Sequence, residues 1–180
     1  MIKPMTPFVI NKIRDPDSIE RFRAVLSFED VIYKPELSKE MIEIQEAYTR
    51  FIENCKAQLK VIESNRKTRG DSLLKWRLAK TLYDFIRWVE KRGYYFANFS
   101  KALFRDLGIS IRQINYLIEF VRTFPEEDKV NPEISWDKYK EILDIKNSHL
   151  QKIVIRKLLD GELKTREDVR KFKKDIKGAR

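Results

Sequence analysis

Between Ser100 and Leu117, the segment SKALFRDLGISIRQINYL brings together Ser110, Arg112, Gln113, Asn115 and Tyr116 within seven positions. These are the side-chain types that read and grip duplex DNA. An arginine forks onto guanine, glutamine and asparagine amides pair with adenine, and serine or tyrosine hydroxyls reach phosphate. Such groups are useful only if a scaffold presents them together, and the apolar spacing supplies one. Leu103 and Leu107 are four apart and stack on one helical face. Gly108 stands where a tight turn requires positive φ. Ile109, Ile114 and Leu117 then return to the same side. The spacing predicts a helix-turn-helix whose second helix, residues 111–124, turns the polar residues outward. Phe104 is bulky for a close helix pair. It either pushes the two helices apart or points into a further helix; an ordinary helical hairpin is the competing reading of the segment.

Two basic clusters lie elsewhere. Arg66, Lys67 and Arg69 sit in the polar stretch ESNRKTRGD, and Arg170, Lys171 and Lys174 belong to a C-terminal run that also holds Arg166, Lys173 and Lys177. Either cluster suits phosphate contacts, or is simply a solvated loop and a frayed tail. The formal charge of +10 is uneven: residues 1–70 hold 13 Lys/Arg against 11 Asp/Glu, and residues 71–180 hold 25 against 17. The excess travels with the helix-turn-helix half, which points to an anionic partner.

Other chemistries find little support. With one histidine, His149, and one cysteine, Cys55, the chain has neither a disulfide framework nor a multi-cysteine zinc site. There is no HExxH, and the five glycines are scattered rather than gathered into a phosphate loop. Carboxylates are numerous, but no Asp…Glu-x-Lys segment stands on a convincing strand hairpin. The expectation is therefore a non-enzyme with no cofactor and no metal. His149 reads as a surface or capping residue and Cys55 as a buried, inert thiol. No apolar run approaches bilayer length and the N-terminus MIKPMTPFVINKIRD lacks a signal-peptide core, so a cytoplasmic protein is expected.

Hydrophobic content of 42%, with 11 Phe and 3 Trp, is enough for a core. The elements that fill it read as helices, and the fold class as all-α: a multi-helix core around the helix-turn-helix, with a long N-terminal helix and an irregular arm. The arm, with four of the six prolines in residues 1–36, includes a possible short helix over 18–28 and a β-prone run at 31–33. A long helix follows from Ser38 to about Ser64. Its apolar residues Met41, Ile44, Tyr48, Phe51, Cys55, Leu59 and Ile62 step by three and four, the narrow seam of a helix laid along a partner, within the chain or across a homodimer. The linker at 63–71 divides an N-terminal part, 1–70, from a DNA-binding part, 71–180. A helix over 72–92 is capped by Asp71 or Ser72 and buries Leu74, Leu78, Leu82, Phe85, Ile86 and Val89. Trp76 and Trp88 widen that stripe toward the N-terminal helix. Further helices start at Ser135, Ser148 and Thr165, the last with a capping-box pair, Thr165 and Asp168.

From Leu103 to about Lys173 the order of features resembles the DNA-binding domain of the ParB/KorB partition proteins. The residues concerned are the turn Leu107-Gly108-Ile109-Ser110, Pro125 after the second helix, the short helix from Ile134 to Leu143, and Gly161 to Glu167. The block with Ile134-Ser135-Trp136 and Leu82-Tyr83 is also similar to the helical N-terminal region of an uncharacterised family of bacterial nuclease-like proteins. Residues 1–72 lack the Gly-Glu-Arg-Arg box of chromosomal ParB, so the resemblance does not extend to a nucleotide-switched clamp. What it implies is sequence-specific duplex DNA binding of a plasmid, phage or mobile-element type, in partition, replication or transcription regulation. A helical protein–protein scaffold and an accessory domain of a nuclease are the alternatives.

Overall fold

The computed structural model of the chain describes residues 10–12, 35–65, 70–92, 94–96 and 99–178. The fold is all-α with a multi-helix core. Its helices are α1 (Pro35–Ser64), α2 (Asp71–Glu90), α3 (Phe99–Leu107), α4 (Ile111–Thr123), α5 (Trp136–Leu143), α6 (Ser148–Leu159) and α7 (Arg166–Gly178). Two three-residue strands, β1 (Ile10–Lys12) and β2 (Tyr94–Phe96), pair antiparallel with Ile10 opposite Phe96. That ladder was not anticipated: three residues are too few for an alternating pattern to register in the sequence. The rest of the irregular arm, including the expected helix over 18–28 and strand at 31–33, lies outside the described residues.

The chain forms two compact units, Met1–Ala57 with Thr81–Ile114 and Gln58–Lys80 with Asn115–Arg180. Each draws residues from both sides of position 70.

In the first unit the α1 seam meets α2 through aromatic rings. Phe51 stacks on Phe85 with centroids 4.3 Å apart, and Tyr48 lies 5.9 Å from both. The buried Tyr48 hydroxyl donates to Asp106 Oδ2 at 2.7 Å, which ties α3 to α1. Hydrogen bonds from Arg105 hold the Asp106 carboxyl below the usual carboxylate range. Ile44, Tyr48, Phe51, Cys55 and Ile62 are all buried within this one chain, and Leu59 is half-buried. The side chain of Met41, the first residue of the expected seam, is not described. Burial pushes the Cys55 thiol up to about 12, in keeping with an inert cysteine.

In the second unit Phe120 is the hub, with ring centroids 5.6 Å from Phe124, 5.1 Å from Trp136 and 4.9 Å from Tyr139. The buried Trp76 donates its indole N–H to the Phe124 carbonyl at 2.7 Å, just past the end of α4. Asp71 accepts from the Trp136 backbone N–H at 3.2 Å, joining the starts of α2 and α5. The cap of α6 is Asn147, whose side chain accepts from the N–H groups of His149 and Leu150. His149 itself is exposed. The expected box at α7 forms: Thr165 Oγ1 accepts from Asp168 N–H at 3.1 Å while Asp168 accepts from Thr165 N–H at 2.7 Å.

The C-terminal helix is no frayed tail. Val169 is fully buried, and Glu141 on α5, 4% exposed, draws three α7 cations. Its Oε1 accepts from Arg166 Nε at 2.7 Å and Arg170 Nε at 2.9 Å, and its Oε2 from Lys173 Nζ at 2.5 Å. Burial alone would raise the Glu141 carboxyl. The bonds from Lys173, Arg166 and Arg170 outweigh it and hold the group down at about 2. The unfolded chain therefore binds the extra proton, and this stabilisation is complete above the ordinary value of 4.5 and lost as pH falls toward 2. Glu141→Ala removes the carboxylate that the three cations share, leaving Arg170 its bond to Glu167 and Lys173 its long contact with Asp144, and should cost about 1–3 kcal/mol in urea unfolding. Glu141→Gln should flatten the loss of stability between the same two pH values, and a variant with an unchanged acid limb would place the titration elsewhere.

Candidate nucleic-acid interface

The turn between α3 and α4 has the conformation its sequence demands. Gly108 adopts φ +70°, and its N–H donates to the Phe104 carbonyl at 3.0 Å. Nothing lies within 4 Å of where a Cβ would stand, so the constraint is backbone conformation and not space. Leu103, Ile109 and Ile114 are buried in the first unit, and Leu107 is half-buried. Phe104 takes neither expected course: it is 53% exposed and faces solvent.

Along α4 one side is buried and another exposed. Ile114, Leu117, Phe120 and Val121 are buried. On the other side Arg112, Asn115 and Arg122 are exposed and Glu119 half-exposed, at steps of three, four and three, a single stripe on a helix. Arg122 and Glu119 were not singled out from sequence, although continuing the 112–115 spacing by four and three would have reached both. The stripe carries two guanidiniums, an amide and a carboxylate, the donor and acceptor types that pair with guanine, adenine and cytosine edges.

The other sequence candidates divide by what they touch. Ser110 is the N-terminal cap of α4, its Oγ accepting from the Gln113 backbone N–H at 3.2 Å. Gln113 is half-exposed. Tyr116 donates its hydroxyl to Asp144 Oδ1 at 3.0 Å, which tethers α4 to the end of α5. Arg170 is held by Glu141 and by Glu167, the latter at 2.8 Å. Lys171 and Lys174 are exposed, three apart on α7. Arg66, Lys67 and Arg69 fall outside the described residues. Among the described residues no group of three His, Cys, Asp or Glu could hold a metal ion, and no helix is long and apolar enough to cross a membrane.

The polar stripe thus depends on two local devices, the glycine turn and the serine cap. Gly108→Ala should destabilise the chain by about 1–2 kcal/mol, the cost of placing a Cβ in left-handed backbone. Ser110→Ala should cost about 1 kcal/mol through the lost cap. Both are read from denaturant midpoints at unchanged m-value; a neutral Gly108→Ala would mean that the turn is not held at positive φ.

Compared with family models, curated proteins and solved structures, the chain matches none, so its candidate interface rests on its own geometry and charge.

Proposed function

We propose that the chain is a sequence-specific duplex DNA-binding protein that lays α4 into the major groove as the second helix of a helix-turn-helix. The observation that carries this reading is the outward stripe of α4, Arg112, Asn115, Glu119 and Arg122, opposite a buried face and directly after a tight glycine turn. Arg112 and Asn115, in the first turns of the helix, are where a recognition helix meets base edges. Gln113 flanks them. Ser110 and Tyr116 act indirectly, one by capping the helix and the other by holding its angle through Asp144. Lys171 and Lys174 supply phosphate contacts, as the net +8 of residues 71–180 favours. Arg170 acts instead as a structural cation of the Glu141 cluster. The cellular setting that fits, from the likeness to partition proteins, is partition, replication or regulation on a plasmid, phage or other mobile element.

A second reading, docking of a protein partner, draws on Phe104 at 53% and Ile111 at 40% exposure, either side of the turn. Fluorescence anisotropy separates the two. The DNA reading expects labelled duplex to be bound with an affinity that falls steeply with salt, and a preferred site to emerge from selection on random duplex. Absence of binding at low ionic strength would sink it. On the selected site, Arg112→Ala and Asn115→Ala should each cost about 1–3 kcal/mol and relax preference at one base pair apiece. Lys171→Ala and Lys174→Ala should weaken all sequences alike and lower the salt slope by about one each. If all four variants behave identically, α4 does not read bases.

A further inference from the structure

A cavity of about 220 Å³ lies between the end of α5, the start of α6 and the flank of α7, lined by Asp144, Ile145, Lys146, Asn147, Leu150, Lys173 and Ile176. Its walls are of three kinds. Ile145, Leu150 and Ile176, each half-buried, make an aliphatic surface. Asp144 stands at the C-terminal cap of α5, where the helix end is partially negative and carries the carboxylate's full charge as well. Lys146 and the cap Asn147 stand at the start of the twelve-residue α6, where the helix end is partially positive.

The polar groups have capacity left. Asp144 Oδ1 accepts from Tyr116, while Oδ2, among the described residues, has only the long 3.5 Å contact with Lys173. The Lys173 ammonium is already shared among the Glu141 carbonyl, the Glu141 carboxylate and Asp144. Lys146 is exposed and, among the described residues, has no ion-pair partner. The side-chain oxygen of Asn147 is used in capping, which leaves its NH₂ to donate.

We infer that this cavity binds a small zwitterion with an aliphatic body, an apolar α-amino acid. Its ammonium would pair with Asp144, its carboxylate with Lys146 and the Asn147 amide, and its side chain would cover Ile145, Leu150 and Ile176. A ligand with one charge alone would satisfy one helix end and leave the opposite charge facing it. The volume is below the roughly 300–1,000 Å³ of drug-sized pockets, so the occupant is small. Asp144 also holds Tyr116 of α4. An ammonium that draws on Asp144 therefore alters the tether of α4, and, on the DNA reading above, DNA affinity changes with amino-acid concentration.

The test needs no DNA. The full chain is titrated with L-leucine by calorimetry, and methyl NMR follows Ile145, Leu150 and Ile176. Binding is expected with shifts at the methyls of those three residues. 4-Methylpentanoate, which lacks the ammonium, and 3-methylbutylamine, which lacks the carboxylate, should each bind at least about tenfold more weakly. Lys146→Ala should weaken leucine by a similar factor. Asp144→Asn, which keeps an acceptor for Tyr116, should weaken leucine but not 4-methylpentanoate. No heat and no methyl shift at millimolar leucine overturns the inference, as does leucine binding no better than either fragment or unchanged in Lys146→Ala. If leucine binds as expected while duplex DNA is never bound, the cavity assignment stands and the DNA reading alone fails.

Discussion

A carboxylate removed from water must find its charge matched inside the protein, and Glu141 sets that condition for the C-terminal third of this chain. It is 4% exposed and could not remain ionised there without compensating donors. Three cations from one face of α7 meet it, at 166, 170 and 173, spaced four and three apart so that a single helix presents them together. A run of basic residues that would repel itself as a free tail is thereby docked on α5. Val169, buried beneath the same contact, adds the apolar part. Lys173 carries the network on to Asp144, and Asp144 to Tyr116 of α4. A chain of polar contacts thus runs from the terminal helix to the helix that bears the polar stripe.

That chain fixes α4 in the second unit together with Trp76, which buries its ring and gives its N–H to the Phe124 carbonyl. A carbonyl at a helix end has no partner within the helix, so this bond satisfies an orphan acceptor while anchoring the helix end. Phe120, among three aromatic neighbours, holds the middle of α4. The outward stripe lies on the exposed side of a helix whose turn, cap and terminus are each specified. A surface that must match a rigid partner benefits from such support, because groups held in place lose less entropy on binding.

Much of the architecture was legible in advance. Apolar steps of three and four located α1, α2, α3, α4 and α6 to within a few residues, because a buried helical face has to repeat with the helical period, and α5 and α7 were read from their starts at Ser135 and Thr165. Gly108 and the pair Thr165 and Asp168 were legible for a different reason: positive φ and reciprocal capping are local demands, met by a few residue types at fixed offsets. The candidate site was legible in part. Arg112 and Asn115 face outward as their positions predicted, whereas Ser110 and Tyr116 turned out to be a cap and a tether. A hydroxyl at a helix start serves a backbone N–H and a phosphate equally well, and residue type does not separate the two.

Local pattern by itself determined the helical class, the element boundaries and the glycine turn, since each answers to residues within a few positions of one another. Tertiary structure decided what depends on partners distant in sequence. Asp144 meets Tyr116 across 28 positions, and Trp76 meets the Phe124 carbonyl across 48. Phe51 of the α1 seam stacks on Phe85, 34 positions away, a contact that apolar spacing alone does not assign. Arg170, Lys171 and Lys174 look alike in a run of basic residues. Docking of α7 pairs the first with a buried carboxylate and leaves the other two in water, because only one face of a helix can be turned toward Glu141.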